Sequence, residues 1–303
     1  DEDDATIIKN PCAPFLFMVA VVTGGASGVG RALALALAKE GARVVVADIE
    51  AQALERSIAE LTQLGCECLG QRADVTDPKS MQALADAAWE KFGAVHLVFA
   101  NAGVGTGEGG NMWDYNLNDW EWGFRVNTWG LIHTINAFLP RLVEQGEEAH
   151  FVVTGSGNGA FLVLPDTPIY TATKAAVQAI TENLHYQLQA QQSPVKVNAL
   201  FPGPNVVNTG IFNSERNRPQ DLPVDPNKPD SGIHSVDDMK AIMAQYDMEL
   251  KTTEPEEVAA FALDGIRADK FWISPMSEKS RAAFIARTQS ILDGTTPTPP
   301  NVL

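Results

Sequence analysis

The chain has 303 residues, 45% of them apolar and 20% charged. That composition supports a sizeable core and excludes wholesale disorder or a collagen-like repeat. The formal net charge is -16 with no Lys/Arg run to offset it locally, so nucleic acid is not an expected partner.

Residues 1–14 open the chain with acids and read as a flexible segment. The apolar run Phe15 to Val22 has strand length and no basic residue leads it closely enough to suggest a signal peptide; no membrane association is expected. From Met18 onward, short β-branched runs alternate with longer helical stretches, the mark of successive βαβ units and a parallel sheet. The strands expected are Met18 to Val22, Val44 to Ala47, Cys66 to Leu69, Leu97 to Ala100, Phe151 to Thr154, Val195 to Leu200 and Phe271 to Ser274. Asp77-Pro78 starts one helix as a capping acid before a first-turn proline, and Thr253 with Glu256 starts another as a capping box. Residues 204–251 break the rhythm with prolines, asparagines and charges, as a substrate lid would. One α/β domain over 15–293 is expected, followed by a flexible Thr/Pro-rich tail over 294–303.

Cys12, Cys66 and Cys68 are odd in number and lack a second Cys/His cluster, so no metal site is expected and a reduced, cytoplasmic protein fits best. Cys66 and Cys68 read as strand residues, with metal ligation as the lesser alternative. The five histidines form no ligand-spaced cluster.

The segment Val19 to Gly30 is a buried strand feeding the turn Thr23-Gly24-Gly25-Ala26-Ser27-Gly28-Val29-Gly30, and a helix rich in Ala and Leu follows. Glycines let backbone approach a pyrophosphate without Cβ clashes, and the helix N-terminus offers free amides and a positive dipole end. Strand, turn and helix in this order point to a Rossmann-type, doubly wound fold that binds a nucleotide. The second strand ends at Asp48, followed by Ile49. A carboxylate there accepts both ribose hydroxyls of NAD and repels the 2′-phosphate of NADP; otherwise it caps the next helix.

Further on, Asp74-Val75 and Asn101-Ala102-Gly103 follow the third and fourth strands. Tyr170 and Lys174 stand four residues apart, on one face if their segment is helical. A phenol titrating near 10 needs such a cation to serve as a base at lower pH. Ser156 lies fourteen positions before Tyr170, just past a strand, and Asn127 lies in a helical stretch. Singly, these are ordinary caps, turns and anchors.

Together, the Thr-Gly-x-x-x-Gly-x-Gly spacing and these residues in this order resemble the classical short-chain dehydrogenases over roughly Val19 to Gly203. The resemblance implies a catalytic tetrad of Asn127, Ser156, Tyr170 and Lys174, with Asn127 holding a water behind the lysine. It implies an NAD site formed by Thr23, Gly24, Ser27, Gly28, Val29, Gly30, Asp48, Ile49, Asp74, Val75, Asn101, Ala102, Gly103, Tyr170, Lys174, Pro202, Gly203 and Val206. Two extra residues follow Gly203, which leaves a cofactor contact by Thr209 open.

For substrate, Val104, Phe161, Leu162, Leu164 and Ile211, with the Ser156 hydroxyl among them, form a largely apolar lining suited to a bulky aryl or alicyclic alcohol or ketone. The layout after Glu254 resembles dehydrogenases of lignin-type aryl ethers. The resemblance also implies a homodimer or homotetramer. The alternative function is a catalytically silent, nicotinamide-binding regulatory protein, because fold alone does not imply chemistry.

Overall fold

In this computed structural model, residues 15–300 are described. Val19–Thr23 (β1) has no exposed side chain, as a parallel strand covered on both faces requires. The chain continues through α1 (Gly28–Lys39), β2 (Arg43–Asp48), α2 (Ala51–Gln63), β3 (Cys68–Arg72), α3 (Pro78–Phe92) and β4 (Leu97–Ala100). Then come α4 (Leu117–Gly123), α5 (Gly130–Gln145), β5 (Ala149–Thr154), the broken turn α6 (Gly157–Ala160), α7 (Pro168–Ala190) and β6 (Val195–Leu200). The last elements are β7 (Val206–Val207), α8 (Val236–Ala244), β8 (Thr252–Thr253), α9 (Pro255–Arg267), β9 (Trp272–Ile273) and α10 (Glu278–Asp293).

Seven strands form one parallel sheet in the order β3-β2-β1-β4-β5-β6-β9. Successive side chains of a strand point to opposite faces, so each strand feeds two cores. Ala20, Val22, Val44, Val46 and Phe99 meet Leu33 and Leu37 of α1, Leu61 of α2 and Val258 and Leu263 of α9. Val19, Val21, Val45, Val98 and Phe151 meet Met81 and Leu84 of α3, Phe138 and Leu142 of α5 and Val177 of α7. The strand order reverses between β1 and β4, so their carboxyl ends diverge into a crevice.

The expected elements are all present, with shifted ends. Cys66 falls outside its strand because the pairing register sets Val44 opposite Cys68. Its thiol donates to the Ala42 carbonyl at 3.3 Å, and burial pushes it up to about 11, so it is an inert packing group. The capping box sits one residue later than the sequence suggests. Thr253 is occupied in β8, paired with Val207, and Glu254 and Glu257 make the reciprocal bonds instead. Residues 204–251 carry more structure than expected: the β7–β8 ribbon, a 3-10 stretch over Gly210–Asn217 and α8. The ends read as flexible include 1–14, which lie outside the described residues. No helix among the described residues is long and apolar enough to cross a membrane.

At the amino ends of the strands, the Val19 amide donates to Nδ1 of buried His96 at 3.0 Å. That bond requires an unprotonated Nδ1. Burial holds the His96 imidazole below its ordinary value of 6.5, outweighing the nearby Glu147 carboxylate. The unfolded chain takes up a proton here first, so stability is full above about pH 6.5 and declines below it. His96→Asn keeps an acceptor near the Nδ1 position and removes the titration. Thermal midpoints between pH 7.5 and 5 are expected to fall less steeply in that variant than in the wild type.

Candidate active site

The glycine turn is built by close approach. Gly24 and Gly28 hold φ of 59° and 49°, a left-handed conformation that favours glycine. A β-carbon on Gly24 would stand 2.9 Å from Cα of Ala102, and one on Gly30 only 2.1 Å from the Gly24 carbonyl oxygen. The Thr23 hydroxyl accepts from the amides of Asn101 and Ala102 at 3.0 and 3.2 Å and donates to the Phe99 carbonyl at 3.3 Å. Asn101 Nδ2 donates back to the Thr23 carbonyl at 3.1 Å. The turns after β1 and β4 are thereby sewn together across the switch point.

A cavity of about 1050 Å³ opens along this seam. Thr23, Gly24, Ser27, Gly28 and Val29 line it, which places the start of α1 on its wall; Asp48, Ile49, Asp74, Val75, Asn101, Ala102 and Gly103 continue that wall. Asp48 is buried, with one carboxylate oxygen accepting from Ala26 N at 3.1 Å and the other from Glu50 N at 3.0 Å. Burial raises its carboxyl above the usual value while these amides oppose the shift. Asp74 accepts from the amide and hydroxyl of Thr76 at 2.8 and 2.7 Å.

From the other side come Pro202, Pro204, Val206 and Thr209. Despite the extra residues, the side chain of Thr209 would lie 3.1 Å from a β-carbon placed on Gly28. Arg216 and Asn217 of the excursion reach back to the Glu50 carboxylate at 2.9 and 2.8 Å. The excursion thus spans the cleft and latches onto the start of α2.

At the opposite end, Ser156 follows β5 and lines the cavity with Tyr170 of α7; its hydroxyl accepts from Asn158 N at 3.2 Å. Lys174 lies one helical turn on, its Nζ 5.8 Å from the Tyr170 ring centroid and donating to the Thr154 carbonyl at 3.0 Å. Burial raises the phenol above 10, and the neighbouring Ser156 hydroxyl pulls the other way. Burial also lowers Lys174 to about 8, leaving it largely charged at neutral pH.

Asn127 sits in a π-helical stretch, Phe124–Trp129, rather than a regular helix. Its Oδ1 accepts from Val104 N at 2.8 Å, and its Nδ2 donates to the Val104 carbonyl and Thr173 Oγ1 at 3.0 and 3.1 Å. A β-carbon on Gly103 would meet Asn127 Oδ1 at 3.3 Å and Lys174 Nζ at 3.6 Å, so Asn127 and the lysine flank that glycine from behind the cleft.

Three expected wall residues stand elsewhere. Gly30 and Gly203 are absent from the cavity lining, and Gly30 serves the packing of α1 on the turn. Phe161 turns away: its backbone ends the α6 turn, which sends Leu162 into the cavity and the Phe161 ring against Phe201 and Phe284, at 4.8 and 5.4 Å. Val104, Leu162, Leu164 and Ile211 do line the space. So do Glu108, Arg125, Asn158, Ile233 and Met239, which no motif marked in advance. Away from the cleft, Glu148, His150 and Asp269 bring ligand-type atoms within 4.8 Å of one another, a grouping invisible in the spacing of the histidines. Lys196 Nζ, 3.4 and 2.7 Å from the two carboxylates, already supplies the positive charge there.

The family model for short chain dehydrogenase matches residues 18–220. The chain belongs to that family. Among solved structures, the short-chain dehydrogenase from Burkholderia phymatum in complex with NAD is 37% identical, with a TM-score of 0.84 over 95% of this chain and 99% of that one. The C alpha-dehydrogenase of Sphingobium sp. is 29% identical over 93% of this chain and 88% of its own length. The 1-deoxy-11-beta-hydroxypentalenate dehydrogenase of Streptomyces exfoliatus is 40% identical over 61% of this chain, which spans 66% of that relative's length.

Within this short-chain dehydrogenase, Gly30→Ala tests the packing reading. The new methyl has rigid backbone 2.1 Å away, and overpacking of this kind costs about 1–3 kcal/mol or more. The thermal midpoint is expected to drop by several degrees, whereas Gly157→Ala, whose β-carbon meets only Phe161 Cδ2 at 3.8 Å, is not expected to show that clash.

Proposed function

We propose that the protein is an NAD-dependent oxidoreductase that moves a hydride between the nicotinamide and a secondary alcohol or ketone. One observation carries the reading: a serine and a tyrosine on one stretch of cavity wall, with a lysine one helical turn from the tyrosine, in a cleft that also holds a glycine turn and a buried carboxylate. The amides at the start of α1 suit a pyrophosphate, and the Asp48 oxygens, each holding one amide, retain lone pairs for a ribose diol. When bound, NAD supplies the hydride acceptor.

The chain's own residues handle the proton. Ser156 holds the substrate oxygen beside the phenol, and Tyr170 takes the hydroxyl proton as its phenolate, or returns it in the reverse direction. Lys174 favours that phenolate through its charge. Asn127 fixes the loop after β4 against α7 and so keeps Gly103 clear of the lysine. The apolar walls Val104, Leu162, Leu164 and Ile211 favour a bulky aryl or alicyclic substrate, as does the nearly full-length likeness to a C alpha-dehydrogenase. Exposed Trp129 and Tyr186, beside α5 and on α7, support self-association into a dimer or tetramer.

Tyr170→Phe is expected to keep NAD binding, measured by fluorescence titration, while turnover of secondary alcohols drops about 100-fold or more. Retained turnover would overturn the mechanism, and NADH binding without turnover in the wild type would favour the silent regulator. Lys174→Ala removes a cation that favours phenolate, so the rise of oxidation rate with pH should move to higher pH. Asp48→Ala is expected to shrink or invert the NAD-to-NADP ratio of kcat/KM at fixed ionic strength; an unchanged ratio would make Asp48 a helix cap only.

A further inference from the structure

The first turn of α7 has an unusual accounting. Pro168 occupies its first position and has no amide. Thr167, the local N-cap, makes no side-chain cap. The two orphan amides belong to Ile169 and Tyr170, and both donate to one carboxylate from the loop after β4: Ile169 N to Glu108 Oε2 at 2.6 Å and Tyr170 N to Glu108 Oε1 at 2.9 Å. The same carboxylate accepts from the Thr106 hydroxyl at 2.8 Å. Glu108 lines the cavity and takes no part in the proton chemistry above.

We propose that Glu108 is the positioning residue of Tyr170: its carboxylate clamps the first turn of α7 through two amides and sets the phenol against Ser156. The proposal rests on the reading of Tyr170 as acid/base. A bidentate charged acceptor at a helix N-terminus both satisfies the amides and meets the positive dipole end. Because one clamped amide is that of Tyr170 itself, a slip of the clamp displaces the phenol directly.

The charges around the pair are few. Facing Tyr170 are Glu108, whose negative charge opposes the phenolate, the Ser156 hydroxyl, which favours it, and Lys174 on the same helix. Facing Glu108 are the Thr106 hydroxyl, Lys228 of the excursion and the phenol of Tyr115. Lys228 also donates to the Thr106 carbonyl and to Asp119 and Glu215, at 3.2 and 3.1 Å for the latter two. The excursion therefore bears on the clamp two residues from Glu108.

The test combines a readout that needs no turnover with one that does. Ionisation of Tyr170 is followed by phenolate absorbance of the full-length protein, each variant being subtracted from its own Tyr170→Phe counterpart. Glu108→Gln removes the charge and one strong acceptor; Tyr170 is expected to ionise at a pH lower by on the order of one unit. Its kcat should fall about tenfold, with KM for NAD within about twofold. Glu108→Asp keeps the charge with a shorter reach; its Tyr170 ionisation should stay near wild type, and kcat should recover part of the loss. The proposal is overturned if Glu108→Gln leaves Tyr170 ionisation and kcat unchanged. It is equally overturned if Glu108→Gln only lowers the thermal midpoint while the ionisation stays put, which is the signature of a plain helix cap. If the wild type shows no turnover but the absorbance shifts appear as stated, the oxidoreductase reading fails and the clamp stands.

Discussion

The hydroxyl of Thr23 ties together the turns that leave β1 and β4, at the point where the two paired strands' crossovers diverge. It joins β1 to the turn after β4 through three hydrogen bonds, at the seam where the sheet changes direction. Strands elsewhere in the sheet are covered by helices, but at this seam the crossovers leave in opposite directions and no helix fills the gap. The cleft exists because of that divergence, and its shape depends on keeping the two turns in contact: Gly24 against Ala102, then Gly103 between Asn127 and Lys174. A hydroxyl serving as donor and double acceptor within 3.3 Å does this without adding bulk.

Much of this was legible in the residues. The order of glycine turn, Asp48, Asn-Ala-Gly, Ser156, Tyr170 and Lys174 carried both fold and site, because each belongs to a short local pattern. What local pattern does not record is partnership across the sheet. Strand ends moved because pairing decides them, as Cys66 shows. Phe161 left the cleft because it closes the broken α6 turn with its ring packed on Phe201, which leaves the wall to Leu162. Glu108 stood unmarked within Gly103 to Gly110, a stretch without periodicity; its role arises from amides sixty-one and sixty-two positions away.

Electrostatics divides the excursion into two attachments of different character. At the start of α2, Arg216 and Asn217 hold Glu50 in a half-exposed pair that salt screens. Beside α4, Arg218 is nearly buried, 2.6 Å from Asp119 and 5.0 Å over the ring of Trp122. Removing one member of such a buried pair strands the other, at a cost of about 3–5 kcal/mol. The segment is therefore anchored firmly at Asp119 and more loosely at Glu50.

The ring of Phe161, displaced from the cleft, has a role of a different kind. It packs tilted against Phe201, just past β6, and edge-on to Phe284, on the last helix, with Trp272 of the edge strand 6.3 Å away. Four aromatic residues from distant parts of the chain thus brace the turn that begins with Ser156. A carboxyl-terminal helix whose own side chains are nowhere fully buried becomes, through this one contact, a buttress for the hydroxyl that faces the phenol. The side chain at position 284 is thereby a packing neighbour of the turn that begins with Ser156.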